Sequence, residues 1–430
     1  MNILHIVSGN LNGGAFRGAY WLHKGLQKIG VDSIMLTNSR DTGNDDSIVS
    51  IRKNPKSKIV AEIRPRLDRL PLLFYRNRSK KIFSTAITGF DFTKTAEYRN
   101  ADIIHLHWIN AGFVNIKDLK QITKPIVWTL RDMWPMTGGC HYSIQCNNFK
   151  TGCGNCWQLS SKRSLDLSRF ILKRKLKHLP YNMKLIGISN WMSSLAQSSI
   201  LFKQHDIRTI YNNINCKEFF SIEKTTAREI LGIKTDKKIL LCGSTNISDF
   251  YKGFSKLADA LQNLNKNRIM LLFFGSASNE FLTSLGYEYK SLGFLNDNIS
   301  LRLAYSASDV FVAPSLMDAF GKTIAESMAC GTPTVCFNAT GPGEIVDHKI
   351  NGYAATPFEP DDLAKGIKWV LEHPNYQALT QKARKKVLTN FDNSVIAKKY
   401  YDLYQELLNN ATLTAAQSSS KPGNYGFVTL

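Results

Sequence analysis

The segment that most restricts how this chain can fold runs from Val310 to Val335, VFVAPSLMDAFGKTIAESMACGTPTV. Val310 to Ala313 read as a buried strand that leads directly into a polar turn holding Asp318, Phe320 and Gly321. A helical pattern starts at Lys322, passes through Thr323 and Glu326, and stops at Cys330-Gly331 ahead of Pro333. Strand, short loop and helix N-terminus in that order belong to an open parallel α/β sheet. There, free backbone N–H groups gather at the carboxyl ends of the strands and suit a phosphate. Seven residues separate Asp318 from Glu326, so the first lies on the loop and the second inside the helix. Such a pair can accept from hydroxyl groups on either side of a bound diphosphate. The same residues also fit an ordinary strand–loop–helix unit with two solvated acids.

The alternation recurs along most of the chain. Ile3 to Val7 form a strand, Gly13-Gly14 open a loop, and Ala15, Ala19, Leu22, Leu26 and Ile29 follow at helical spacing. The loop is not GxGxxG and no acid caps the next strand, which argues against a nicotinamide cofactor. Strands at Ile103–Leu106 and Ile126–Leu130 lead into loops carrying His107-Trp108 and Arg131-Asp132, expected at the same sheet edge as Gly13-Gly14. His107 either faces that edge or is a buried structural histidine. A chain of 430 residues exceeds one ordinary core. The expected domains are 1–205 and 206–390, with Leu185–Ser189 as the last strand of the first and Ile210–Asn215 as the crossover. A helix at 391–410 and a disordered low-complexity tail at 411–430 complete the chain.

The formal charge is +21, which implies a polyanionic partner: a nucleic acid, an anionic membrane or phosphorylated substrates. Residues 52–81 hold eleven Lys and Arg against Glu62 and Asp68, interleaved with Ile59, Ile63, Leu67, Leu73 and Phe74. Basic and apolar residues in one segment read as a peripheral membrane surface or as a solvated basic helix face. No apolar run reaches the roughly 20 residues needed to span a bilayer, and the start lacks a signal peptide's basic region. The expected location is therefore cytoplasmic, peripheral at the inner face of the membrane. Cys140, Cys146, Cys153 and Cys156 crowd into one loop, and four thiolates there would complete a structural tetrahedral zinc site. Free thiols or labile disulfides are the alternatives.

With these motifs assembled, residues 1–408 resemble retaining GT-B glycosyltransferases of the GT4 family, of the bacterial exopolysaccharide and O-antigen type. The resemblance rests on Gly13-Gly14, ADIIHLHWINAGF, TLRDMWPMTGGCHYS, YKGF, the Pro314–Val335 segment and ATGPGEIVDHKINGY. It implies an α/β protein with two Rossmann-like domains facing each other across a cleft. The second domain would bind a nucleotide-sugar donor, and the first an acceptor, with His107 and Trp108 on the acceptor side. By resemblance, Glu326 holds the ribose hydroxyls and Asp318 a sugar hydroxyl. Lys252 neutralises the leaving diphosphate, and backbone amides of Gly321, Lys322 and Thr323 meet the sugar and phosphates. Phe320 is placed on the donor side too, and the base lies near Phe294. Gly13 and Gly14 let the backbone approach the phosphates.

Three positions depart from the family pattern: Asp318 stands for the usual Glu, Ser244 for a basic residue, and Arg131 for the His of a His-Asp pair completed by Asp132. Asp318, Lys252, Arg131 and Asp132 are the expected catalytic group. No Asp-x-Asp motif ends an apolar strand, so no catalytic metal is expected. The implied reaction is transfer of the sugar to a lipid-linked or other oligosaccharide hydroxyl, with retention. A nucleotide-sugar epimerase on the same plan is the second reading. A nucleic-acid-binding protein is the third, prompted by charge alone and unsupported by any recognition motif.

Overall fold

The computed structural model describes all 430 residues except 12, 41, 248 and 420–430, with side chains of 411–419 also left aside. The first domain opens with β1 (Asn2–Ile6), α1 (Gly14–Lys28), β2 (Asp32–Thr37) and β3 (Ile48–Ser50). It continues through α2 (Pro55–Arg69), α3 (Ala96–Asn100), β4 (Ile103–Leu106) and β5 (Ile126–Leu130). It closes with α4 (Leu167–His178), β6 (Lys184–Gly187), α5 (Asn190–Ser198) and β7 (Ile207–Thr209). The strands are parallel, in the order β3-β2-β1-β4-β5-β6-β7. Strand β5, IVWTL, is buried throughout, because helices cover both faces of such a sheet. Helix α1 turns Phe16, Ala19, Leu22 and Leu26 inward.

The second domain begins with α6 (Lys224–Ile230), β8 (Lys238–Asn246), α7 (Phe254–Leu261), β9 (Ile269–Ser276) and α8 (Asn279–Ser284). Then come β10 (Glu288–Ser291), α9 (Asn298–Ala307), β11 (Val310–Ala313), α10 (Lys322–Ala329) and β12 (Thr334–Phe337). Strand β13 (Gly352–Ala355), α11 (Pro360–Leu371), α12 (Tyr376–Asn390) and α13 (Asn393–Ser419) end the described chain. Its parallel sheet runs β10-β9-β8-β11-β12-β13. Two Rossmann-like parallel sheets therefore make up the molecule.

Strand β7 follows β6 in the first sheet, so Leu185–Ser189 is not its last strand as expected, and the boundary expected at 205 falls just before β7. It is short, and only intermediate or exposed, so it carries little hydrophobic signal. Helix α13 continues to Ser419, through the first part of the expected tail, and 420–430 lie outside the described residues. Its Ile396, Tyr400, Leu403 and Tyr404 share one core cluster with Ile3, Leu22 and Leu26 of the first domain. An aromatic trio also joins the halves, with Phe320 against Tyr211 at 6.3 Å and Phe391 at 5.4 Å between centroids. The Glu344 carboxylate accepts from the amides of Asn190 (2.8 Å) and Trp191 (2.7 Å), the first turn of α5, where free N–H groups and the helix dipole favour an anion.

Candidate active site

Both sheets point their carboxyl ends at one interdomain cleft, which holds two hollows that share Gly14. The smaller, of about 170 Å³, is lined by Arg17 of the first domain and by Ser244, Phe294, Lys322, Thr323 and Glu326 of the second. Glu326 is 2% exposed; Oε2 accepts from the Tyr305 hydroxyl at 3.2 Å, and Oε1 has no partner. Lys322 Nζ and Ser244 Oγ are likewise buried without partners. The Lys322 ammonium rests 3.6 Å from the Trp21 ring centroid, a cation–π contact that spans the domains. Burial pushes the Glu326 carboxyl up, opposed by Lys322 and Arg17, and pushes the Lys322 ammonium well down, opposed by Glu326.

Asp318 and Lys252 come together at 2.9 Å. The other carboxylate oxygen of Asp318 accepts from the amides of Phe320 (3.2 Å) and Gly321 (3.1 Å). Burial raises the Asp318 carboxyl, but the Lys252 charge and these hydrogen bonds outweigh it, so it lies below the ordinary value. Gly321 caps α10 with φ of +94°, a left-handed conformation that favours glycine. Two expectations change here. The Gly321 amide is already held by Asp318, which leaves Lys322 and Thr323 to offer the open amides of the helix start. The Phe320 side chain is 2% exposed in the interdomain aromatic trio, because alternation along the loop turns it away from the cleft. Phe294 is 52% exposed and free to meet a flat ring.

Gly13 has an ordinary φ of −86°, and a Cβ built on Gly14 would meet no protein atom within 4 Å. The fold itself does not require glycine at these positions; the space they leave lies in the cleft wall. Gly18 differs: its Cβ would lie 2.5 Å from Arg131 Nη1 and 2.9 Å from Asn212 Oδ1. Sequence reasoning passed over Gly18, whose only signal was its place on the buried face of α1.

The larger hollow, about 480 Å³, is lined by Trp108, Arg131, Asp132 and His141, with Lys80 and Lys81 at its side. Arg131 donates from Nη1 to Asn212 Oδ1 at 2.5 Å, and its Nη2 faces His107 Nδ1 at 3.4 Å. Burial lowers its guanidinium to about 10. His107 does not line the hollow; it is 2% exposed behind Arg131. A guanidinium only donates, so His107 Nδ1 must accept. Its Nε2 then carries the proton and donates to His5 Nδ1 at 2.9 Å. His105 packs against the His107 ring at 4.1 Å between centroids and bonds separately to Tyr404 (2.6 Å) and Thr129 (2.7 Å). His5, His105 and His107 form a group whose ring nitrogens lie within 4.8 Å of one another. Most of those nitrogens are hydrogen-bonded and Arg131 faces them, so the group works as a hydrogen-bonded brace. Burial first, then neighbouring charges including Arg131, lowers all three well below the ordinary histidine value.

Asp132 is fully engaged. Oδ2 accepts from His141 Nδ1 at 2.7 Å and Trp108 Nε1 at 2.9 Å, and Oδ1 accepts from the Trp134 amide at 2.9 Å. His141 Nε2 in turn pairs with Ser84 Oγ at 2.9 Å. An Asp–His pair therefore exists in the cleft wall, formed by Asp132 with His141. The nine-residue separation across an irregular loop hid it from pattern reading. Cys140, Cys146, Cys153 and Cys156 line one small cavity in that same loop, and none is in a disulfide. Among the described residues, their sulfurs do not form a group of three within 4.8 Å of one another.

Comparison with known proteins now bears on this geometry. Residues 223–387 match the family described as glycosyl transferases group 1. An uncharacterized glycosyltransferase of Methanocaldococcus jannaschii is 31% identical over 317 residues, which are 71% of this chain and 75% of that protein. The N,N'-diacetylbacillosaminyl-diphospho-undecaprenol alpha-1,3-N-acetylgalactosaminyltransferase of Campylobacter jejuni is 26% identical over 46% of this chain, and the match covers 53% of that protein. Among solved structures, HepE of Anabaena in complex with UDP and glucose superposes with a TM-score of 0.62 at 18% identity, over 94% of this chain and all of that one. The last shows a shared GT-B fold. These relatives favour sugar transfer over the epimerase reading. The chain belongs to the group 1 glycosyltransferases, enzymes that transfer a sugar from a nucleotide-sugar donor.

Proposed function

We propose that the protein moves a sugar, with retention of configuration, from a nucleoside-diphosphate sugar to a lipid-linked oligosaccharide in surface-polysaccharide assembly, working at the inner face of an anionic membrane. One observation carries the donor half of this reading: Glu326 Oε1, Lys322 Nζ and Ser244 Oγ are buried, lack hydrogen-bond partners, and belong to residues that line one interdomain hollow. Each such group costs about 1–3 kcal/mol unless something pairs with it. A polyhydroxylated anion would pair with all of them. Glu326 would accept from the ribose hydroxyls, and Lys322, Arg17 and the amides of Lys322 and Thr323 would meet the diphosphate. Phe294 would stack on the base. Gly13 and Gly14 would leave room for the phosphates.

Asp318 would accept from a sugar hydroxyl while Lys252, held beside it, shares its charge with the departing diphosphate. Charge grows on that group in the transition state, and preorganised cations stabilise it most there. Asp132 is not poised as a nucleophile, since both its oxygens are occupied. In retaining members of this family the leaving phosphate assists the hydroxyl that attacks on the same face, and the same course is proposed here. Trp108 would form part of the acceptor wall, where Arg131, Lys80 and Lys81 favour a phosphate-bearing acceptor. The Campylobacter relative's diphospho-undecaprenol name agrees in kind.

The membrane half rests on α2 and the short turn after it. Ile59 is 60% exposed, Leu73 69% and Phe74 89%, within the stretch of eleven Lys and Arg at 52–81. Its two acids do not offset that charge outward: Glu62 is paired with Arg40 and Arg52, and Asp68 is buried, accepting from Thr85 and Ile87. Apolar tips inside a cationic field suit an anionic bilayer. No helix of the described residues is long and apolar enough to cross a membrane. The test is transfer to a lipid-diphosphate sugar acceptor in phosphatidylglycerol vesicles, with NMR of the new glycosidic bond. Retained configuration is expected; an inverted product, or donor hydrolysis without transfer, counts against the proposal.

A further inference from the structure

The loop between β5 and α4 sets one wall of the cleft, since His141, Tyr142 and Gln158 all line it. What fixes this loop is not secondary structure, for it contains only short 3-10 turns. Its four cysteines instead face a single cavity of about 20 Å³, room for one ion or one water and for no organic ligand. The chain turns sharply to bring two of them there. Cys153, Gly154 and Asn155 take φ values of 52°, 99° and 46°, three successive left-handed residues, two of which are not glycine. That conformation costs energy and persists where the surroundings demand it. The backbone also addresses the sulfurs. The Gly138 backbone lies against the Cys153 sulfur, where an added Cβ would come within 3.1 Å of it.

Charge balance gives an independent indication. Lys175 is fully buried beside this loop; its ammonium donates to the Trp134 and Thr137 carbonyls and lies 3.7 Å from the Trp134 ring centroid. No carboxylate hydrogen-bonds to it among the described residues. Arg169 adds a second cation at the edge, donating to the Cys153 carbonyl at 3.2 Å. Lys175 and Arg169 beside a pocket of four sulfurs favour negative charge on them, and the buried Asp166 carboxylate, which accepts from the Cys156 amide, offsets part of theirs.

We propose that Cys140, Cys146, Cys153 and Cys156 bind one zinc ion as a closed tetrathiolate site that clamps the cleft wall. Zinc suits it because four soft thiolates prefer a tetrahedral, redox-inert cation. Binding replaces four S–H protons with four Zn–S bonds and releases four protons to solvent. It also draws the sulfurs inward, since Zn–S bonds of about 2.3 Å place them closer together than they now lie. The inference stands apart from the transferase reading and can fail without it.

The experiment uses the full-length protein purified without added chelator. Elemental analysis is expected to give one zinc per chain, released in step with thiol modification. Cobalt exchanged into the site should show the intense near-ultraviolet thiolate charge-transfer band and the visible bands of a tetrahedral centre. Cys153→Ser and Cys156→Ser should each lose the zinc, while Cys216→Ser, outside the loop, should keep it. If those variants fail to fold, the wild-type metal content and cobalt spectrum decide alone. Wild-type protein that holds no stoichiometric zinc and gives no thiolate–cobalt band overturns the site. So does mass spectrometry showing disulfides among these four cysteines in freshly isolated protein.

Discussion

Glu326 presents a conflict between stability and binding that can be measured. Its carboxyl is raised by burial, so the charged form is disfavoured in the folded state. For an acid raised in this way, the contribution to stability is whole below the unfolded value of about 4.3 and is lost as pH rises through the folded value. At neutral pH, Glu326→Gln should therefore stabilise the free protein by about 1 kcal/mol, seen as a rise of about 1 °C in Tm that vanishes near pH 4. The same variant should bind donor poorly, because an amide does not replace a carboxylate acceptor for two hydroxyls. Lys252→Ala should lower kcat by about 10²-fold with a smaller effect on donor affinity, since the cation acts on charge that develops during departure. Single-turnover rates separate the two effects. At this scale the acids were legible in the sequence because the strand–loop–helix context fixes where they point. His141, Gly18 and Lys175 were not, because their meaning comes from partners distant in sequence or on irregular loops.

Helix α1 and strand β5 meet where Gly18 lies against Arg131, so the element's position depends on a missing side chain. Gly18→Ala should push Arg131 from its place and cut kcat/KM by about 10²-fold, the usual effect of a misplacement on the order of 1 Å. Circular dichroism should show the fold intact; an active Gly18→Ala protein would mean that Arg131 has no positioning role. Helix α2 and its following turn act as a second unit. Leu73→Ser with Phe74→Ser should weaken sedimentation with phosphatidylglycerol vesicles several-fold and leave transfer to a water-soluble acceptor unchanged. Raising salt should weaken vesicle binding by both proteins, because part of the attraction is coulombic. The charge of this segment and its place on the surface were readable in advance. Its helical extent was not, since Pro65 lies inside α2 and interrupts a helical reading.

Across the whole molecule, the ties between the two domains include the Glu344 carboxylate on α5, the Phe320–Tyr211–Phe391 trio, the Lys322–Trp21 cation–π contact, and α13 on the first sheet. The parallel order of each sheet follows from its strand–helix alternation, and buried apolar strands made that alternation visible. The crossing of α13 was less visible. Its inward groups, such as Tyr404 on His105, reach partners nearly the whole chain away. Glu344→Ala should leave two helix-start amides without their acceptor and loosen the contact between the domains. Small-angle scattering should then show a larger radius that donor no longer reduces fully. All these expectations depend on the cleft being a nucleotide-sugar site. The direct measurement is calorimetric titration of wild type and Glu326→Ala with UDP-, GDP- and ADP-sugars. Saturable binding of one nucleotide class by the wild type, lost in the variant, is the predicted result. Equal binding by both proteins, or none by the wild type, would contradict it.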